Sequence, residues 1–366
     1  MVMIQMNDFK KEQKVIHKSI FDAVERVLSS GSFVLGSALE YFEKLWSSAC
    51  ETEFGVGVGN GHDAIEISLR SLNIGSGDEV ITTPMTAFAT VLAILGAGAT
   101  PVFADIEPGT ALMSIESVQR CLTSRTKAIS LVHLYGQIKD MDDWVMLCKA
   151  NNIYLIEDCA HAHLARWNGR PAGSFGKISA FSFYPTKNLG AMGDAGMVVT
   201  SDQSLADKAR CLRNYGYQNN ILCMEGGMNS RMDELQAAIL TEKLQFLTAF
   251  TSSRCKIAKK YHTKINSSRV SILSAPANQT SHVYHLFVVN CEERDNLQGY
   301  LLNNGIQSLI HYKIPIHEQG ICKTMPRDKF GLSNSVHHAN TCLSLPCHPH
   351  MENHEVDTVV QCINMF

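Results

Sequence analysis

The chain has 366 residues, of which 45% are hydrophobic and 18% charged, and its formal net charge at pH 7 is −3. This composition is typical of a globular protein and excludes a disordered or fibrous chain. No block of basic residues indicates a nucleic-acid or membrane-surface partner, and the length predicts more than one packed unit.

Signals for export, membrane insertion and metal binding are weak. The N-terminal residues lack the apolar core of a secretion signal, and the longest mostly apolar stretch, residues 91–104, is interrupted by glycines and a proline. The twelve cysteines contain no CxxC pair, so we expect reduced thiols in a cytoplasmic protein. We interpret Cys347, His348 and His350 as loop residues and expect no metal site.

The first half of the chain is predicted to alternate strands and helices. Two amphipathic helices come first, at residues 9–28 and 37–48, separated by a turn rich in serine and glycine. After them we predict strands at 54–59, 79–82, 101–104, 128–134 and 153–156 and helices at 63–72, 88–95 and 144–150. This alternation favours a mostly parallel sheet covered by helices, with ligands bound at the carboxyl ends of the strands.

The last third of the chain is predicted to form a smaller lobe. Its elements are a long helix from residue 233 past residue 247, a strand at 283–290 and a helix at 294–303. We therefore expect a large α/β domain at residues 1–250, which includes the N-terminal helices, and a small C-terminal α+β domain at residues 251–366.

A lysine follows a further buried strand. This strand is predicted to end at Tyr184 and Pro185, because proline cannot continue the hydrogen-bond ladder, and Lys187 then lies in a glycine-rich turn. Burial there would lower the pKa of the Lys187 amine and free it as a nucleophile. By spacing alone, an ordinary surface lysine in a turn is the more common case.

Two acids and a histidine follow the apolar strand at residues 153–156. Glu157 and Asp158 stand where a parallel sheet binds ligands. A pyridine cofactor requires a carboxylate there, which keeps its ring nitrogen protonated so that the ring can accept electrons. His161 could lie beside the same ring. The alternative interpretations are an acid that caps a helix and an ordinary histidine in a turn.

A glycine-rich turn at residues 55–62 precedes the helix predicted to start near Asp63. Backbone N–H groups at such a turn, and at Gly61 and His62 in particular, can approach a phosphate, and the hydroxyl of Ser182 could bind the same group. The turn matches neither the dinucleotide-binding fingerprint nor the P-loop. An ordinary glycine-rich turn is the alternative.

Taken together and in order, these motifs resemble the sugar aminotransferases of the DegT/DnrJ/EryC1/StrS family. The matching segments are GNGHDA at 59–64, GDEV at 77–80, GATPV at 98–102, VHLYG at 132–136, IEDCAH at 156–161, FSFYPTKNLG at 181–190, MNSRMDELQAA at 228–238, HY at 311–312 and PIH at 315–317. The resemblance covers nearly the whole chain. It implies the three-layer α/β/α fold of fold-type-I transferases that depend on pyridoxal phosphate, with a smaller C-terminal lobe.

The resemblance also implies roles for individual residues. Lys187 matches the catalytic Schiff-base lysine, Asp158 the partner of the ring nitrogen, and His161 the residue beside the phenolic oxygen of the cofactor. The matched phosphate contacts are Gly61, His62 and Ser182, with Asn229 reaching the cofactor of a neighbouring subunit. A homodimer is therefore implied.

Some positions depart from the family pattern. His62 stands where threonine is usual, and Lys313 replaces the proline that usually follows the HY pair. An aromatic residue that usually contacts the cofactor ring falls on Ala87, with Phe88 next to it, and either residue could face the ring. The substrate contacts implied by the resemblance are Tyr184, His311, Tyr312 and His317.

The function implied is transfer of an amino group, with L-glutamate as donor, to a keto group of a nucleotide-linked deoxysugar. Residues 310–317 resemble the version found in members that act at the sugar C-3 carbon, which favours a dTDP-linked 3-keto-6-deoxyhexose. The alternatives are a 4-keto sugar or a cyclitol as substrate, and, in another class, a regulatory protein that keeps the fold without turnover. Lys187 argues against the dehydratase branch, in which histidine replaces this lysine.

Overall fold

The computed structural model describes residues 3–218, 221–222, 224–276 and 278–366. Helices α1–α12 span Phe9–Ser30, Ser37–Ala49, Gly61–Ser71, Phe88–Gly96, Ile115–Cys121, Met141–Ala150, Gln203–Leu212, Glu234–Leu244, Leu247–Lys264, Arg294–Asn303, Ser333–Thr341 and Asn353–Met365. Strands β1–β14 span Phe54–Val58, Glu79–Thr82, Thr100–Phe103, Thr126–Val132, Tyr154–Asp158, Arg166–Trp167, Arg170–Pro171, Ile178–Ser182, Gly196–Thr200, Tyr217–Gln218, Ile221–Leu222, Ser271–Ile272, Phe287–Asn290 and Cys342–Leu345.

A seven-stranded sheet lies at the centre of the larger lobe, with the strand order β1-β9-β8-β5-β4-β2-β3. Strand β9 runs antiparallel to both of its neighbours, whereas the other pairs in this sheet are parallel. In the register, Asp158 lies between Val132 of β4 and Ala180 of β8. The ends of β4, β5 and β8 therefore meet at one edge of the sheet.

Helices cover both faces of this sheet, and each face has its own apolar core. Trp46 of α2 and Trp144 of α6 belong to the core on one face. Ile67 of α3 and Ile94 of α4 belong to the core on the other. The predicted three-layer α/β/α fold is confirmed by this arrangement, and by the likeness to solved structures described below.

The C-terminal lobe contains the antiparallel sheet β12-β13-β14, against which α9, α10 and α12 pack. Ile4, close to the N-terminus, pairs with Ile306 and packs into the core of this lobe. Helix α9 spans position 250, so the proposed boundary between the two domains falls inside a helix. The division into residues 1–250 and 251–366 stays a proposal.

Several predicted elements differ from the structure, among them the strand expected to end at Tyr184 and Pro185, which ends at Ser182. The long helix after residue 233 is two helices, α8 and α9, which are separated at Gln245 and Phe246. The predicted strand at 283–290 is shorter, because the N–H groups of Val283 and Leu286 donate to the carbonyls of residues 136 and 135 instead of to a strand. None of the described helices is long and apolar enough to cross a membrane.

Candidate active site

A cavity of about 330 Å³ lies at the carboxyl ends of the parallel strands. The predicted site residues that line it are Gly61, His62, Ala87, Asp158, His161, Ser182, Tyr184 and Lys187. They come from the start of α3, the start of α4, the end of β5 and the turn after β8. The structure therefore brings the three separate sequence motifs to one place, as expected for ligand binding in a sheet of this kind.

Lys187 lies on the turn after β8. Its backbone N–H donates to the Tyr184 carbonyl at 2.8 Å. This turn is tight, because a side chain at Gly190 would overlap the backbone of Pro185. Burial lowers the pKa of the Lys187 amine to about 8, against the opposing effect of the Asp158 charge. The amine is thus poised to exist in both protonation states near neutral pH.

Asp158 is 4% exposed at the end of β5. Its Oδ1 accepts the backbone N–H of Ala160 at 3.1 Å, and its Oδ2 accepts the hydroxyl of Thr90 at 2.8 Å. Thr86 and Thr90, which also line the cavity, were not predicted as site residues. The available signal was their position after β2, at the carboxyl end of a strand of the sheet, where ligands bind.

His161 is buried, and its Nδ1 accepts the backbone N–H of Tyr135 at 3.2 Å. Burial, together with the charge of Lys187, holds the pKa of His161 well below its ordinary value, so the ring is neutral. A neutral ring that accepts at Nδ1 carries its proton on Nε2. His161 can therefore donate one hydrogen bond to a ligand oxygen.

The start of α3 forms an anion-binding nest. Asn60 caps the helix by accepting the N–H of Asp63 at 2.9 Å, whereas no described residue accepts the N–H groups of Gly61 or His62. A Cβ at Gly61 would lie 2.5 Å from Cβ of Ser182, so only glycine permits this close approach. Two free amides and a hydroxyl at a helix N-terminus fit a phosphate.

The His62 side chain places an imidazole beside this nest. Its Nδ1 lies 3.0 Å from Oδ1 of Asp63, and its Nε2 lies 4.0 Å from Oε2 of Glu66. The hydrogen bond to Asp63 raises the pKa of His62, and burial opposes that effect only in part. The hydroxyl that threonine would supply at this position is thus replaced by an imidazole whose pKa is raised.

Phe88 and Asn229 do not line the cavity within this chain. Ala87 does line it, whereas Phe88 at the start of α4 is 40% exposed. Of the two candidates for a contact with the cofactor ring, the structure thus places Ala87 at the cavity. Asn229 is exposed and forms an isolated antiparallel bridge with Asn214.

The proposed substrate residues of the C-terminal lobe lie outside the cavity lining. Charged groups of the cavity nevertheless shift the pKa values of two of them. Burial and the charge of Lys187 lower the pKa of His311 to about 4. Burial and the charge of Asp158 raise the pKa of Tyr312. His317 is buried, and the structure does not place it with these groups.

Among the described residues, one buried group has the spacing of a metal site: His133, Glu157 and Cys159. Glu157 already accepts hydrogen bonds from two side chains, His133 and Ser179, and from several backbone N–H groups. Its lone pairs are therefore engaged within the protein, and we assign this group a structural role.

Comparison with known proteins agrees with this geometry. A dTDP-3-amino-3,6-dideoxy-alpha-D-galactopyranose transaminase from Aneurinibacillus thermoaerophilus is 41% identical, with 100% of this chain and 99% of that protein covered. A dTDP-3-amino-3,4,6-trideoxy-alpha-D-glucose transaminase from Streptomyces venezuelae is 38% identical, with 97% and 94% covered. The crystal structure of S. venezuelae DesV in complex with a ketimine intermediate is 37% identical, with a TM-score of 0.96 and 100% and 98% of the two chains covered.

The match to a family extends over almost the entire sequence. Residues 14–364 match the DegT/DnrJ/EryC1/StrS aminotransferase family. The predicted cofactor is confirmed with it, since this family depends on pyridoxal phosphate, and a nest for phosphate, a carboxylate and a lysine with a lowered pKa converge on one cavity. The chain belongs to the DegT/DnrJ/EryC1/StrS family and is a sugar aminotransferase that depends on pyridoxal phosphate.

Proposed function

We propose that this aminotransferase moves an amino group from L-glutamate to the C-3 keto group of a dTDP-linked 3-keto-6-deoxyhexose. The observation that carries the chemistry is the Lys187 amine, whose pKa is about 8, in a cavity shared with Asp158. The names of two relatives, both transaminases of dTDP-3-amino sugars, support the nucleotide and the carbon. A regulatory protein without turnover is disfavoured, because it would not need this amine.

Each residue of the cavity has a separate proposed role. When bound, pyridoxal phosphate supplies an electron sink for the carbon that carries the amino group. Asp158 would hold the proton on the ring nitrogen, and His161 would donate from Nε2 to the phenolic oxygen. Lys187 would anchor the cofactor, and its Nζ could take up and return a proton, a role that a pKa near the operating pH favours.

The phosphate is proposed to bind at the start of α3. The free N–H groups of Gly61 and His62 and the hydroxyl of Ser182 supply hydrogen bonds, and the dipole of α3 adds to the attraction. Tyr184, which lines the cavity and is 51% exposed, is placed at the rim, where a sugar would enter.

We propose that His311 and Tyr312 form the sugar side of the site. Both are half-buried, and Lys187 and Asp158 affect their respective pKa values. His317 is the least supported member of the predicted substrate set, because it is buried against Phe103, at a ring distance of 6.4 Å.

The test of the substrate is a panel of keto-sugar nucleotides incubated with L-glutamate and the reconstituted enzyme, with products identified by mass spectrometry. We expect the amino sugar from the dTDP-linked 3-keto-6-deoxyhexose and at most traces from 4-keto sugars and cyclitols. Lys187→Ala serves as the control for uncatalysed exchange. Preferential amination of a 4-keto sugar or a cyclitol would overturn the assignment to C-3.

We further propose a homodimer with shared sites. Asn229 is exposed in the single chain, and nearby surfaces hold apolar side chains that a monomer leaves in water. These include Tyr215 and Tyr217, which are 45% and 46% exposed, and Leu222 at 64%. Such exposure is typical of a surface that another chain covers, and a two-fold dimer would present it twice.

Subunit mixing tests the shared site. Lys187→Ala and Asn229→Asp subunits are each expected to be inactive, the latter because its charge repels the phosphate of the partner subunit's cofactor. In a heterodimer, both substitutions can fall in one of the two active sites, and the other site is then unmodified. Mixing should therefore restore part of the activity. Full activity of Asn229→Asp alone, or an active monomer in sedimentation, would contradict the shared site.

We place the reaction in the cytoplasm. Every described cysteine is a free thiol, which fits a reducing compartment. Detection of the native protein in a cell fraction other than the cytosol would contradict this proposal.

A further inference from the structure

Two threonine hydroxyls are hydrogen-bonded in series to the Asp158 carboxylate. Thr90 Oγ1 lies 2.8 Å from Oδ2 of Asp158, and Thr86 Oγ1 lies 2.9 Å from Thr90 Oγ1. The exposed fractions of Thr86, Thr90 and Asp158 are 2%, 0% and 4%. The three groups therefore interact with little competition from bulk water, which strengthens each hydrogen bond.

The direction of the protons follows from the carboxylate. Ionised Asp158 can only accept, so Thr90 donates its single hydroxyl proton to Oδ2. The Thr90 oxygen is then left as an acceptor, and Thr86 must donate to it. Each bond polarises the next one in the same direction. The series thus holds the Asp158 carboxylate in one orientation.

The geometry of Thr90 differs from that of an ordinary helical threonine. A threonine in a helix commonly bonds back to a carbonyl one turn earlier. Thr90 instead donates to a residue that is 68 positions away in sequence. The other oxygen of Asp158 accepts the Ala160 N–H. Each oxygen thus holds one neutral donor and keeps a lone pair for a ligand.

We propose that Thr90, supported by Thr86, is a positioning residue that keeps the Asp158 carboxylate oriented toward the ring nitrogen of pyridoxal phosphate. The inference rests on the proposed role of Asp158 and extends it to two residues of α4 and the turn before it. Thr90 acts through Asp158 and has no role in the sugar specificity.

The test uses Thr90→Val, which keeps the shape of the side chain and removes the hydroxyl. Two readouts are measured on the full chain reconstituted with pyridoxal phosphate: the dissociation constant by spectral titration, and the ¹⁵N NMR shift of the labelled ring nitrogen. We expect the dissociation constant to rise about tenfold, as for loss of one hydrogen bond to a charged group, and the ¹⁵N signal to move toward the unprotonated position. Thr90→Ser should restore both readouts, and Thr86→Val should shift them less in the same direction.

Two controls separate positioning from general damage. Thr82→Val removes a buried hydroxyl that donates to the Ser130 carbonyl at 3.0 Å, so it should lower thermal stability and leave both readouts unchanged. In an Asp158→Asn background, Thr90→Val should add nothing, because its effect passes through the carboxylate.

The proposal is overturned if Thr90→Val binds the cofactor with the wild-type dissociation constant and ¹⁵N shift, or if its effect is equally large in the Asp158→Asn background. Neither readout involves glutamate or a sugar. A wrong substrate assignment would therefore leave this test standing, and a negative result here would leave the proposed amination standing.

Discussion

The segment that begins at the end of β5 has a core side and a cavity side, and the same residue types behave differently on the two. Glu157 and His163 face the core, whereas Asp158 and His161 line the cavity. All four side chains are buried, with exposed fractions of 7% or less. Burial therefore does not distinguish a candidate functional residue from a structural one in this segment.

Hydrogen-bond capacity does distinguish them. Glu157 accepts bonds from the His133 ring, the Ser179 hydroxyl and the backbone N–H groups of Gly173, Phe175 and Gly176. A carboxylate has about four lone-pair sites, so little remains for a ligand. Asp158 accepts two bonds in all from described residues and keeps the rest of its capacity.

The two histidines repeat this contrast. Nδ1 of His163 accepts the Leu189 N–H at 3.1 Å, and its Nε2 lies 3.0 Å from the Ser182 carbonyl, so both nitrogens are engaged. Nδ1 of His161 is engaged in the same way, but no described residue pairs with its Nε2. Residues on the cavity side therefore have hydrogen-bond donors and acceptors without a partner among the described residues. These groups are available to bind a cofactor.

The largest effect is expected on the cavity side from Lys187→Ala. Loss of the amine removes both the covalent anchor and the proton carrier, so turnover should fall by at least about a thousandfold. Cofactor should still bind through the phosphate nest, which equilibrium dialysis can measure. Turnover close to that of the wild type would show that another group performs both tasks.

Asp158→Asn is expected to lower activity without lowering stability. The amide keeps the shape but cannot balance a protonated ring nitrogen, so turnover should fall by about a hundredfold. The melting temperature without cofactor should change little, because few hydrogen bonds depend on this carboxylate. If activity persists, the carboxylate is structural and the contrast with its neighbour fails.

Glu157→Gln should show the opposite pattern, with a loss of stability of about 2–4 kcal/mol, because an amide NH₂ would face N–H donors. Burial raises the pKa of Glu157, but the His133 and backbone hydrogen bonds outweigh burial and lower it overall. The stability contributed by Glu157 is therefore present above the unfolded pKa and lost as the pH falls through the folded pKa.

Denaturant unfolding of the wild type and of Glu157→Gln at several pH values checks this prediction. The difference in free energy of unfolding should be full at pH 7 and shrink below the ordinary pKa of glutamate. A constant difference down to the most acidic pH at which the protein folds would contradict the role assigned to the ionised carboxylate.

The smallest effect is expected from His62→Leu, which removes a charge next to the phosphate nest. The pKa of His62 is raised, so its favourable charge is present at low pH and lost as the pH rises through that pKa. Cofactor affinity should fall about threefold at pH 6 for a partly exposed charge and match the wild type at pH 9. Equal affinities at both pH values would leave His62 without a role in phosphate binding.

Much of this arrangement could be predicted from the sequence, because βα alternation dictates where the strand ends meet. Lys187, Asp158 and the turn at Gly61 were found in this way and by family resemblance. The sequence could not show that Ala87 lines the cavity and Phe88 does not, because the direction of a side chain at a helix start depends on how that helix packs. The antiparallel strand β9 was not predicted either.

The threonine series shows the same limit. Thr86 and Thr90 lie 72 and 68 positions before Asp158 in the sequence, and only the fold, which brings the start of α4 to the end of β5, places them together. Whether a neighbouring acid is satisfied by the core or left open to a ligand is likewise a property of tertiary contacts. The adjacent Glu157 and Asp158 look alike until those contacts are known.

The most direct test of the account is to locate the cofactor on the chain. The protein reconstituted with pyridoxal phosphate is reduced with borohydride and digested, and the modified peptide is sequenced by mass spectrometry. The account predicts the pyridoxyl group on Lys187 alone, and loss of that label when L-glutamate is added before reduction. A label on another lysine, or a label on Lys187 that glutamate does not remove, would contradict an aminotransferase site built around this residue.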